Sequence, residues 1–177
     1  MANIRGLSQL AVLFLSCVMA VISFWCTNWI RIENPVNTGE VKFGLLKKCD
    51  RLHLREEYCS YLDDRPVEWW ITSVLIGMSA ILQGFAFLFT LPRVVRRWSR
   101  INNNTCLSRL CVVCSALSLV LNSVSVVLFP AGFYMDAIGG EKFKLPDNVS
   151  FGWTYWVFYM SSLLTIGHFI TVVFSEC

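Results

Sequence analysis

The sequence predicts an all-α membrane protein, a left-handed four-helix transmembrane bundle carrying a small extracellular antiparallel β-sheet. Three observations predict it. Of 177 residues, 55% are hydrophobic and only 15% charged, against roughly 45–50% and about 25% in an ordinary soluble domain. Four runs without Asp, Glu, Lys or Arg, 7–29, 69–91, 110–133 and 152–174, hold 23, 23, 24 and 23 residues, and about 20 helical residues cross a bilayer core. Basic residues gather in one connection: 92–109 carries Arg93, Arg96, Arg97, Arg100 and Arg109 and no acid. Positive loops stay in the cytoplasm, so both termini are assigned there too, in a multi-pass protein of the plasma membrane. The inner side then sums to +5 and the outer loops, 30–68 and 134–151, to −2. Residues 1–177 read as a single domain without repeats, and the first run exceeds a signal-peptide core of about 7–15 residues.

Lipid gives helices no hydrophobic reason to associate, so each span needs small or polar residues on one face. The first has Ser16, Ala20, Ser23 and Thr27. In the outer loop that follows, Val41, Phe43 and Leu45 alternate with Glu40, Lys42 and Gly44, a half-buried strand pattern over 40–49. Residues 29–32 and 58–62 are shorter strand candidates. Cys49 and Cys59 are the two cysteines of the outer loops. That compartment is oxidising, so they are expected to pair with each other, free thiols or an intermolecular link being the alternatives.

The second span offers Thr72, Ser79, Gln83 and Thr90, and the third Cys111, Ser115, Ser118, Asn122 and Ser125 at spacings of four, three, four and three, one helical face. In the second outer loop 141–145 could add an edge strand, and Asn148-Val149-Ser150 is a glycosylation candidate; Asn103-Asn104-Thr105 faces inward and stays unmodified. The fourth span contributes Thr154, Ser161, Thr165 and His168. Gln83 and Asn122 should turn inward, each a candidate partner for the other, since an unpaired amide in hydrocarbon costs several kcal/mol. His168 falls near the cytoplasmic end, within reach of water. Trp25, Trp29, Trp69, Trp70 and Trp153 fall at outer span ends and Trp98 near an inner one, as interfacial rings do. Cys106 and Cys177 flank the inner surface as palmitoylation candidates.

Function follows by class. A net charge of +3 argues for no nucleic acid partner. No P-loop, metal-ligand cluster or nucleophile with a general base stands in the chain, so no enzyme, catalytic residue, metal or cofactor is expected. Gln83, Asn122 and His168 could line a transport path, but the spans carry no acid, Lys or Arg, which favours packing. Asp50, Arg51, Arg55, Glu56 and Glu57 could line a pore; their mixed signs favour a solvated face. Cys111-x-x-Cys114 with an outer cysteine pair superficially resembles the vitamin K epoxide reductase arrangement, though electrons would have to cross the membrane between the pairs.

Four spans, Trp29 after the first, and Gly44-Leu45-Leu46-x-x-Cys49 followed nine residues later by Cys59 resemble the claudin superfamily, whose pattern is W, then G-L-W-x-x-C, then C. Epithelial membrane proteins, peripheral myelin protein and the gamma-type channel subunits share it. Trp29, Gly44, Leu45, Cys49 and Cys59 match the motif, while Leu46 replaces its second Trp. The resemblance implies a brace beneath an outer sheet and a non-enzymatic role: lateral association with a channel, receptor or other integral membrane protein, or adhesion and a paracellular barrier through a homotypic partner. Ser175-Glu176-Cys177 lacks the claudin-type tail, so no PDZ scaffold is expected. Membrane lipid is the remaining partner.

Overall fold

The computed structural model describes residues 2–34, 39–51, 56–62, 65–98, 105–135 and 138–176. Four long helices dominate: α1 (Ala2–Trp25), α2 (Val67–Trp98), α3 (Thr105–Ala131) and α4 (Trp153–Glu176). Their stretches Gly6–Trp25, Val67–Pro92, Arg109–Tyr134 and Trp153–Phe174 are long and apolar enough to cross a membrane. The chain is a multi-pass membrane protein. α1 packs on α2 and α4, and α3 packs on the same two, which closes the helices into a ring.

Helix ends depart from the uncharged runs for identifiable reasons. The first run extends to Trp29, but α1 stops at Trp25 because Trp29 turns back into the sheet-side end of the bundle: its indole Nε1 donates to the Ser23 carbonyl at 2.7 Å and its backbone N–H to Phe43 O at 2.8 Å. α2 runs past Leu91, where the second run ends, and through Pro92 to Trp98. A proline costs a helix one hydrogen bond and a clash, which membrane helices tolerate. Only 99–104 then separates α2 from α3.

Above one end of the ring lies a five-stranded antiparallel sheet in the order β4-β3-β2-β1-β5. Its strands are β1 (Ile30–Asn34), β2 (Gly39–Phe43), β3 (Lys47–Arg51), β4 (Tyr58–Tyr61) and β5 (Val149–Phe151). Two strand expectations need correction. Residues 40–49 form two strands, not one, because the chain folds over at Gly44-Leu45-Leu46, where Gly44 N–H donates to Lys47 O at 2.8 Å and Leu45 drops into the core. Residues 141–145 are no sheet strand but a tight turn closed by the bridge between Glu141 and Lys144; the edge strand from this loop is β5.

The sheet joins the bundle through an aromatic core of Trp29, Trp69, Phe43, Phe129, Phe133 and Phe158. Trp69 stacks on Phe129 with centroids 5.2 Å apart, and Trp29 lies 4.7 Å from Phe129 and 5.4 Å from Phe158. Trp29 and Trp69 are thus core rings, not interfacial ones. Both keep a partner for the indole N–H, as burial requires: Trp69 donates to Phe129 O at 3.1 Å. Trp25, Trp70 and Trp153 are exposed on the bundle surface, as interfacial rings should be. The Trp98 side chain lies outside the described residues.

Below this core the helices meet along the polar seam the spacing predicts. Ser16, Ser23, Thr72, Ser79, Gln83, Thr90, Ser115, Ser118, Asn122, Ser125, Thr154, Ser161, Thr165 and His168 are all buried, with Ala20 and Cys111 among them. Ser16 Oγ pairs with Thr165 Oγ1 at 2.8 Å and Ser79 Oγ with Ser118 Oγ at 2.8 Å, tying α1 to α4 and α2 to α3. Gln83 does not meet Asn122. Its Nε2 donates to Thr165 Oγ1 at 3.1 Å and its Oε1 accepts from Ser16 at 3.4 Å, because α4 and α1 present hydroxyls at that level. Both ends of the Asn122 amide lack a protein partner. His168 is not at water's reach but buried, with Nδ1 3.4 Å from Ser115 Oγ.

These two amides should respond oppositely to removal. Gln83→Leu loses two interhelical bonds, worth about 1 kcal/mol in a membrane, and should lower the melting temperature in detergent by about 2–4 °C. Asn122→Leu loses no protein bond and should leave it unchanged or raise it.

Candidate functional site

The joint between sheet and bundle is built from four consecutive residues, Cys26 to Trp29, that leave α1 and enter β1. Asn28 and Trp29 stitch three elements together. Trp29 N–H reaches the end of β2, Gly152 N–H donates to Trp29 O at 2.9 Å, and Thr154 N–H donates to Asn28 O at 3.2 Å. The last two satisfy N–H groups at the start of α4 that no helix can satisfy internally. Glycine makes the approach possible. A Cβ on Gly44 would stand 2.7 Å from Thr27 Cα, one on Gly152 would collide with the Asn28 carbonyl, and one on Gly132 would stand 2.5 Å from the Trp69 indole. Asn28, Gly132 and Gly152 carry no sequence motif; the signal of the two glycines is their place at the end of an apolar run.

The pleat then sorts the sheet into two faces. Register places Ile30, Ile32, Val41, Phe43, Val149 and Phe151 on the face that enters the core. Arg31, Glu40, Lys42, Lys47, Cys49, Arg51, Cys59 and Tyr61 share the other face. There Arg31 pairs with Glu40 at 2.6 Å, and Lys42 reaches Glu57 at 3.3 Å and Glu40 at 3.9 Å. Partly exposed pairs of this kind contribute roughly 0–1 kcal/mol each, so they order the surface more than they stabilise it. Tyr61, 71% exposed, and the exposed Arg51 complete a polar platform with an aromatic corner. Lys47 Nζ stands 5.3 Å from the Tyr61 ring.

Cys49 and Cys59 face each other across β3 and β4 and form a disulfide on this platform. Glu57 lies beside them, but a disulfide offers no thiolate to a metal, and Glu57 already pairs with Lys42. Of the motif residues, Trp29, Gly44, Leu45 and Cys49 converge on the joint and Cys59 secures the strand outside it. Cys111 and Cys114 are free thiols; Cys111 Sγ lies 3.2 Å from Thr90 Oγ1. His168 joins them in no metal-ligand cluster among the described residues. The pore candidates divide too, since Asp50 pairs with Lys48 at 3.2 Å and Glu57 with Lys42, while Arg55 lies outside the described residues. Asn148 is exposed in the turn before β5. Asn103, Cys177 and the side chain of Cys106 lie outside the described residues.

The model of one protein family, Attenuator of Hedgehog, matches residues 26–176, from the joint to the end of α4. The chain belongs to the Attenuator of Hedgehog family. This corrects the claudin resemblance: Trp29, the Gly44-Leu45 turn and the cysteine pair mark a way of bracing a sheet on four helices, not membership of that superfamily. Leu46, where the claudin motif has Trp, is the residue at which the match already fails. In the Attenuator of Hedgehog chain Leu46 is only partly buried at the edge of the aromatic core, so the second Trp has no role to fill.

Proposed function

We propose that this Attenuator of Hedgehog family member is a non-enzymatic protein of the plasma membrane that lowers Hedgehog pathway output by binding another integral membrane protein. The observation that carries the reading is the polar platform itself. Charged and aromatic side chains stand in fixed register on a sheet cross-linked by one disulfide and bonded at its base to two helices. Such pre-organisation reduces what a docking surface loses on binding. The disulfide also supports the orientation, because disulfides persist on the oxidising side of a membrane. With the sheet outside, four crossings bring both termini and the five arginines of 92–109 to the cytoplasm, in accord with the positive-inside rule. The family's description supplies the pathway.

A Hedgehog-responsive transcriptional reporter in cells lacking the gene tests this. Re-expression of the natural chain is expected to lower induced output. Arg51→Glu combined with Tyr61→Ala, at exposed platform positions with little folding cost, should abolish the attenuation at equal surface abundance. Cys111→Ser with Cys114→Ser should retain it. If the cysteine pair variant alone lost attenuation while the platform variant kept it, a thiol-based mechanism would replace the docking one.

A further inference from the structure

The loop between α3 and β5 holds a residue in a conformation its side chain disfavours. Phe143 has φ +65°, the left-handed region that glycine ordinarily occupies. Three backbone hydrogen bonds hold it there: Glu141 N–H to Lys144 O at 3.2 Å, Lys144 N–H to Glu141 O at 3.0 Å, and Phe143 N–H to Pro130 O at 3.0 Å. The last one sets position. Pro130 lies inside the stretch Arg109–Tyr134 that is long and apolar enough to cross a membrane, four residues or about 6–8 Å from its sheet-side end. The turn therefore lies back against the sheet-side end of α3, at the last residues of that apolar stretch, instead of standing clear of the bundle.

At that level Phe143 is 63% exposed, a large apolar ring with no core to fill. Lys142 and Lys144 flank it, both exposed, with Glu141 at the start of the turn leaving the four residues at net +1. Lys142 Nζ stands 5.2 Å from the Tyr134 ring, and the Tyr134 hydroxyl donates to Glu68 at 2.9 Å, so the flank is tied to α2. Trp153, at the start of α4, and Trp70, in the first turn of α2, are exposed around the same end of the bundle. Aromatic rings at the hydrocarbon boundary with cations reaching the phosphates are how proteins grip an interface.

We propose that the turn 141–144 is a phospholipid-binding wedge. Phe143 enters the hydrocarbon of the leaflet on the sheet side, and Lys142 and Lys144 hold the phosphates above it. The positive φ belongs to the tight turn that leaves the ring exposed beside α3. The wedge accounts for the alternation of lysine with apolar residues over 141–145 that otherwise reads as a strand. It is independent of the platform, which is built from other residues, and of any Hedgehog role.

The test is photocrosslinking in native membranes of the full chain carrying p-benzoylphenylalanine in place of Phe143, with retention of the Cys49–Cys59 disulfide as the folding check. Irradiation is expected to add the mass of a single phospholipid. The same probe in place of Tyr61, on the platform, should capture none. Lys142→Glu with Lys144→Glu should remove most of the lipid adduct. A protein as the main adduct at 143, equal lipid capture at 61, or a yield indifferent to the two lysines would each overturn the proposal.

Discussion

Gly152→Ala is expected to leave little folded protein. The added methyl has nowhere to go, because it meets the carbonyl carbon and oxygen of Asn28, and backbone cannot rotate aside as a side chain can. Relief requires α4 to withdraw from the joint. That would break the Gly152 bond to Trp29 O and the Thr154 bond to Asn28 O together, and strand two N–H groups at a buried helix start. Overpacking alone costs about 1–3 kcal/mol, and each stranded buried donor about as much again. Against a total stability of about 5–15 kcal/mol that is a large fraction. Fluorescence-detected size-exclusion of the detergent extract should show the monodisperse peak largely lost. Gly84→Ala and Gly167→Ala, where a Cβ meets nothing within 4 Å, should run as the unaltered protein does. If the Gly152 and Gly84 variants behaved alike, the tight joint between sheet and bundle would not exist in the membrane.

The contrast between these glycines also marks what was legible in the sequence. Helices announce themselves by length and apolar composition, and the seam residues by spacing, because both depend on one segment at a time. Ser16, Gln83, Ser118 and Thr165 are therefore buried where periodicity puts them. Pairing across helices depends on relative rotation and depth, which one segment does not encode. Gln83 accordingly meets Thr165 and Ser16 in place of Asn122. Trp29 and Trp69 show the same limit. Beside a span end a tryptophan reads as interfacial, and only the sheet above, which no single segment predicts, converts that position into core. The cysteine pair was legible because compartment and count sufficed. The turn 141–144 was not, since a strand and a strained turn share one alternation of residues.

Trp29→Ala should be the most damaging single side-chain truncation in the chain. The indole is fully buried, touches Phe129, Phe158 and Tyr155, and gives its N–H to Ser23 O, so α1, α3, α4 and the sheet all lose a contact at once. Large aromatic-to-alanine changes in cores cost about 3–5 kcal/mol, which for a domain of this size corresponds to a melting temperature lower by about 10 °C or more. Trp29→Phe retains most of the ring contacts and loses the hydrogen bond, worth about 1 kcal/mol. Its loss should be a few degrees. Trp25→Ala, four residues earlier and 64% exposed, removes the same atoms from a lipid-facing position and should change the melting temperature little. Thermal unfolding of the three variants in one detergent separates the two roles of tryptophan at this membrane face. Equal losses at 25 and 29 would mean that the aromatic core beneath the sheet does not hold the two layers together.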